Sequence, residues 1–71
     1  MKRSERLVDM TKYLLERPHT LISLPFFADR YHAAKSSISE DLAILKRTLA
    51  NNQNGILETV AGAAGGVRYI Q

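Results

Sequence analysis

Residues 35–49 read KSSISEDLAILKRTL. Ile38, Leu42, Leu45 and Leu49 recur at spacings of four, three and four. At about 100° per residue they fall in one narrow sector of a helix. The opposite face carries Ser36, Glu40, Ala43 and Arg47, while Lys35, Ser37 and Ser39 lie on its shoulders near the amino end. Asn51–Gly55, NNQNG, ends the helix with residues that tolerate the left-handed region. Ile44 falls off the main stripe, as a core-edge residue or a dimer contact.

Toward the amino end, Leu7, Met10, Thr11, Leu14 and Leu15 form an earlier buried stripe. Ser4 is predicted to open that first helix. Glu5, Asp9, Lys12 and Glu16 are placed on its far face. Pro18 stops it at about Arg17, because the residue before proline is pushed out of the helical region. TLISL (20–24) is a short β-type run that can add one edge to a small sheet. Pro25 suits a first helical position, and PFFADRYH (25–32) follows as two turns packed through Phe26, Phe27 and Tyr31. Ala33 and Ala34 make a tight connection. ILETV (56–60) and VRYI (67–70) flank the AGAAGG loop (61–66) as a hairpin with a projecting tip. The order helix, short strand, helix, helix, strand, loop, strand predicts an α+β fold, mainly α with a small antiparallel hairpin. It is a winged helix-turn-helix spanning residues 1–71.

Length and composition narrow the function. A chain of 71 residues is one small domain, which buries only about 60% of its unfolded surface. It has no cysteine, so neither a disulfide nor a thiolate metal site can form. This suits a reducing, cytoplasmic setting. No apolar run approaches the ~20 residues of a membrane span, and the basic start lacks the apolar segment of a secretory signal. Ten Lys+Arg against seven Asp+Glu give a net charge of +3, a mild excess that permits an anionic partner. His19 and His32 have no carboxylate or cysteine at ligand spacing, so they read as surface or turn residues. The carboxylates are scattered and no phosphate-cradling glycine loop precedes a helix. We therefore expect a binding module, with no catalytic residue and no metal ligand.

The serines of 35–49 have two readings. SISE (37–40) matches the spacing of a capping box, with Glu40 closing it. A box uses one serine, and three are present. In a helix-turn-helix the first turns of the second helix enter the major groove, where small hydroxyls can touch phosphates or base edges. Lys35, Ser36, Ser37 and Ser39 are thus candidate DNA-contacting residues. Glu40 either closes the box, which we favour, or accepts from a cytosine amino group. Lys2, Arg3 and Arg6 crowd the start of the first helix against its macrodipole, which marks them as phosphate contacts or a solvated basic tail. Arg68, with Gly65 and Gly66 of an uncharged wing, completes the candidate set; the glycines serve either the DNA backbone or the turn itself. Tyr13 and Tyr31 read as partly buried rather than stacking residues. The rival function is a winged-helix protein-interaction or dimerisation module that touches no DNA, using the Ala43–Ile44 edge and the hairpin.

RSERLVDMTKYLLERPH, SLPFFADRY, AAKSSISEDLAILKRTL and TVAGAAGGVRYI resemble the amino-terminal winged-helix domain of the Gram-positive purine operon repressor family. The likeness spans nearly the whole chain, and AKSSISED with GAAGGV is its most specific part. The resemblance implies a homodimeric repressor of purine synthesis and transport genes that binds double-stranded operator DNA. It implies a second, phosphoribosyltransferase-like domain. That domain binds phosphoribosyl pyrophosphate, with guanosine tetraphosphate competing at the same site. No cofactor is then expected in residues 1–71, which end at VRYIQ, where the family has its linker. Pro25 departs from the pattern, standing where threonine is the more usual cap, and Ser23 becomes the expected cap.

Overall fold

A computed structural model describes residues 1–52, 55–62 and 65–71. The predicted order is present: α1 (Arg3–Glu16), β1 (Ile22–Ser23), α2 (Leu24–Tyr31), α3 (Lys35–Asn51), β2 (Ile56–Val60) and β3 (Gly66–Ile70). The three strands form one antiparallel sheet in the order β1-β3-β2. The TLISL run contributes two residues as its edge. Ala63 and Ala64 of the wing, and Gln53 and Asn54 of the turn after α3, lie outside the described residues.

The helix starts differ from the sequence reading. α1 begins at Arg3 with Lys2 as its cap residue, so Ser4 lies inside the first turn. Glu5 accepts the Lys2 backbone N–H at 3.0 Å, where its negative charge also suits the helix dipole. α2 begins one residue before Pro25. Ser23 is its cap, as expected: Oγ accepts the Phe26 N–H at 3.2 Å. At the other end His32 adopts φ 51° and ψ 46°. It turns the chain so that the Ala33 N–H donates to the Ala28 carbonyl at 3.0 Å. α3 carries the largest correction. Its cap residue is Ala34, which has no side-chain acceptor, and Ser37 is already inside the helix. SISE forms no capping box.

The core is where the periodicities place it. Met10 and Leu14 of α1, Phe27 and Tyr31 of α2, and Ile38, Leu42 and Leu45 of α3 meet Leu57, Val67 and Tyr69 of the sheet. Each large apolar side chain buried there contributes about 1.5–3 kcal/mol. Two stripe residues are displaced. Leu15 is exposed, and so is Phe26, whose ring instead lies 5.2 Å from that of Tyr13 on the surface. Asp9 is not on a solvent face. It is half-buried and accepts from Tyr31 Oη at 2.6 Å and Arg30 Nε at 3.0 Å. These hydrogen bonds, Tyr31 first, hold its carboxyl below the ordinary range.

Candidate nucleic-acid interface

The start of α3 faces the hairpin across a groove. Leu24 and Pro25 at the start of α2, Lys35 at the start of α3, and Thr59–Gly62 with Gly65 and Gly66 line it. One turn further on, Ser39, Ala43 and Lys46 of α3 border a second crevice against Thr59 and Val67. Helix and wing therefore run side by side, with small side chains between them. Ser36 and Ser39 are exposed and Ser37 is half-buried.

The cations divide into two groups. Arg3, Arg6, Arg17, Arg30 and Arg68 each pair with a carboxylate. Lys35, Lys46 and Arg47, all exposed on α3, form no salt bridge with any described residue, and neither do Lys2, the cap residue of α1, and Lys12 within it. Three of the five cations without a salt bridge to a described residue thus lie on α3, the helix with the uncapped amino end. No motif marks Lys46, which lies in the middle of the helix, away from its amino-terminal turns. Arg47 was placed on the outer face without a role.

Lys2, Arg3 and Arg6 stand together at the start of α1, and Arg3 and Arg6 reach across to α3. Arg6 Nε lies 2.5 Å from Asp41 Oδ2, and its Nη2 donates to Oδ1 at 3.3 Å. Arg3 Nε reaches the same carboxylate at 2.9 Å, and Arg3 Nη2 reaches Glu40 Oε1 at 2.7 Å. Asp41 is fully buried. A buried carboxylate needs partners of this kind, because an unpaired charge in the interior is costly. Its hydrogen bond raises the pKa of Arg6 above the ordinary arginine value. Asp41 was missed although a signal existed: it lies between Ile38 and Leu42 on the apolar stripe, with two arginines three residues apart in the first helix.

Arg68 sits on the sheet face away from the core, directly across from Glu58, and pairs with it. Gly65 and Gly66 are buried. A Cβ on Gly65 would lie 2.1 Å from the Val60 carbonyl oxygen, and one on Gly66 2.0 Å from that of Ile22. Strand packing accounts for both glycines. The outward part of the described wing is Ala61 and Gly62, both exposed. Among the described residues no group of three His, Asp or Glu is placed to hold a metal ion. Among the described residues no helix is long and apolar enough to cross a membrane.

Three helices, a three-stranded sheet and a hairpin beside the third helix define a winged helix-turn-helix. Residues 2–71 match the family described as "Bacterial purine repressor, N-terminal", and the chain belongs to that family. It is 62% identical over 69 residues to the "Purine biosynthesis transcriptional repressor PurR" of Bacillus subtilis (strain 168), covering 97% of this chain and 24% of the relative. It is 48% identical over 69 residues to the "Purine biosynthesis transcriptional activator PurR" of Lactococcus lactis subsp. lactis (strain IL1403), covering 97% of this chain and 26% of the relative. The same identity and the same 97% hold for the "Probable purine biosynthesis transcriptional regulator PurR" of Streptococcus pneumoniae serotype 4, with 25% of the relative covered. The chain thus spans about a quarter of the length of these curated relatives. All three are named as transcriptional regulators, not as enzymes.

Proposed function

We propose that residues 1–71 bind double-stranded operator DNA as the recognition module of a repressor of purine genes. α3 lies in the major groove and the wing lies along the backbone. The observation that carries this is the concentration of unpaired cations, Lys35, Lys46 and Arg47, on α3. Compact Ser36, Ser37 and Ser39 stand beside them, and the uncapped amino end of the helix favours an anion. Lys35 and Lys2 serve as phosphate contacts, and Ser36, Ser37 and Ser39 reach base edges or phosphates. Gly65 and Gly66 set the shape of the wing that presents Ala61 and Gly62. Arg6 and Arg68, held by carboxylates, act through those pairs or exchange them for phosphates.

Repression is favoured over activation because the more similar relative is named a repressor. The three quarters of those relatives that lie beyond this chain would carry effector binding and pairing into a homodimer, with phosphoribosyl pyrophosphate and guanosine tetraphosphate as the effectors. The domain itself needs no cofactor, and its working place is the cytoplasm.

A second reading has one observation in its favour. Met1, Val8 and Leu15 leave large apolar surface exposed at seven-residue spacing, which suits a protein contact along α1. Footprinting of the chain on DNA upstream of purine biosynthesis genes, at two salt concentrations, separates the two. Protection that weakens with salt supports the DNA module. Self-association on size exclusion without protection supports the interaction module.

A further inference from the structure

We infer that Arg3 serves DNA binding by neutralising Glu40 on the outer face of α3, and not by touching a phosphate. The inference rests on the DNA-binding reading above. Glu40 shares the outer face of α3 with Ser36, Ala43 and Arg47, and its side chain is 66% exposed. A bare carboxylate there meets the phosphates with the wrong sign, and like charges brought together across an interface oppose binding. The remedy is built into the fold. Arg3 Nη2 lies 2.7 Å from Glu40 Oε1, while Arg3 Nε lies 2.9 Å from Asp41 Oδ1.

Asp41 is the reason Arg3 stays in place. It is fully buried, and its other oxygen is held by Arg6 at 2.5 Å. An exposed ion pair formed by two free side chains gains little, because both must be ordered. Here one end of the guanidinium is held by a fully buried carboxylate, so the other end is presented to Glu40 at small entropic cost. The planar fork of arginine can serve both oxygens at once; a lysine has no such geometry. Two arginines and two carboxylates make a cluster of zero net charge where the amino end of α1 meets α3.

The inference separates from a direct phosphate contact in a double-variant cycle read by DNA affinity. Arg3→Gln is expected to lower affinity about tenfold, from a like charge exposed at contact range. Glu40→Gln alone is expected to leave affinity within about threefold of the parent, as for removal of an already neutralised charge. The two together should return close to Glu40→Gln alone, with the slope of log affinity against log salt unchanged. A loss in the double variant as large as in Arg3→Gln, with the slope reduced by about 0.9, means a phosphate contact and overturns the inference. A large loss from Glu40→Gln alone means that Glu40 touches a base, which also overturns it. Thermal melts of all three variants identify any loss of folding, and Arg3→Met repeats the cycle should Arg3→Gln unfold. Failure of the parent chain to bind DNA at all is a different result and overturns the reading beneath.

Discussion

Replacing Gly66 by alanine tests whether the wing glycines serve packing. Gly66 opens β3 and pairs with Ser23 on one side and Val60 on the other. The added Cβ would lie 2.0 Å from the Ile22 carbonyl oxygen and 2.7 Å from Ser23 Cα. Both atoms belong to backbone, so no side chain can swing aside, and β1 must move by more than 1 Å, an overpacking strain of about 1–3 kcal/mol. Displacing a two-residue strand also breaks one or two ladder hydrogen bonds at about 0.5–1.5 kcal/mol each. The loss is together about 2–5 kcal/mol, against a total of about 4–10 kcal/mol for 71 residues. At about 4–8 °C per kcal/mol for a domain of this size, Tm should fall by about 8–40 °C. Circular-dichroism melting gives the shift, and hydrogen exchange at Ile22 and Val67 shows whether the β1–β3 pairing is the part that is lost. Gly62→Ala is the comparison. Its neighbourhood is open but its φ is +108°, so it should lose about 1–2 kcal/mol by backbone strain with the β1 pairing intact. A Gly66→Ala protein that melts within about 4 °C of the parent, with Ile22 still protected, would refute the packing argument.

Ser23→Ala removes the α2 cap and should cost about 1 kcal/mol, read as a shift in the urea midpoint at constant m. Tyr31 is pushed up to about 12, first by burial and then by its hydrogen bond to Asp9. A raised pKa stabilises the fold below pH 10 and loses that contribution between about pH 10 and 12; stability measured across that window should fall less steeply in Tyr31→Phe. Asp9 has the opposite sign. Its lowered pKa stabilises the fold above the ordinary carboxylate value of 3.8 and loses that contribution as pH falls through the native value. Asp9→Asn should therefore be less stable at neutral pH and lose less on acidification, as followed by urea titrations at several pH values.

The helices and the hairpin were legible because their patterns are local. Four apolar residues at helical spacing set α3, and two β-rich runs around a glycine loop set β2 and β3. The α2 cap was legible too, because a proline two residues on limits where the helix can start. What escaped was decided across the chain. Ser37 fits a capping box by spacing alone, but α3 begins at Lys35, where Ala33 and Ala34 leave the turn, so the serine falls inside the helix. Arg3 and Arg6 read as free cations until Asp41, 35 residues beyond Arg6, is placed beside them. Asp9 read as a surface charge because Tyr31 and Arg30 belong to another helix. A pairing between distant elements leaves no periodicity of its own. The family resemblance supplied the expected partner, whereas the division between engaged arginines and free α3 cations required the fold.

DNA binding through α3 depends on its free cations, Lys35, Lys46 and Arg47. That is tested most directly by the salt dependence of binding to purine-gene promoter DNA for the parent chain, Lys35→Ala and Lys46→Ala with Arg47→Ala. Each variant should bind more weakly, with the log–log slope reduced by about 0.9 for every phosphate contact removed. Unchanged affinity and slope in all of these variants would contradict it.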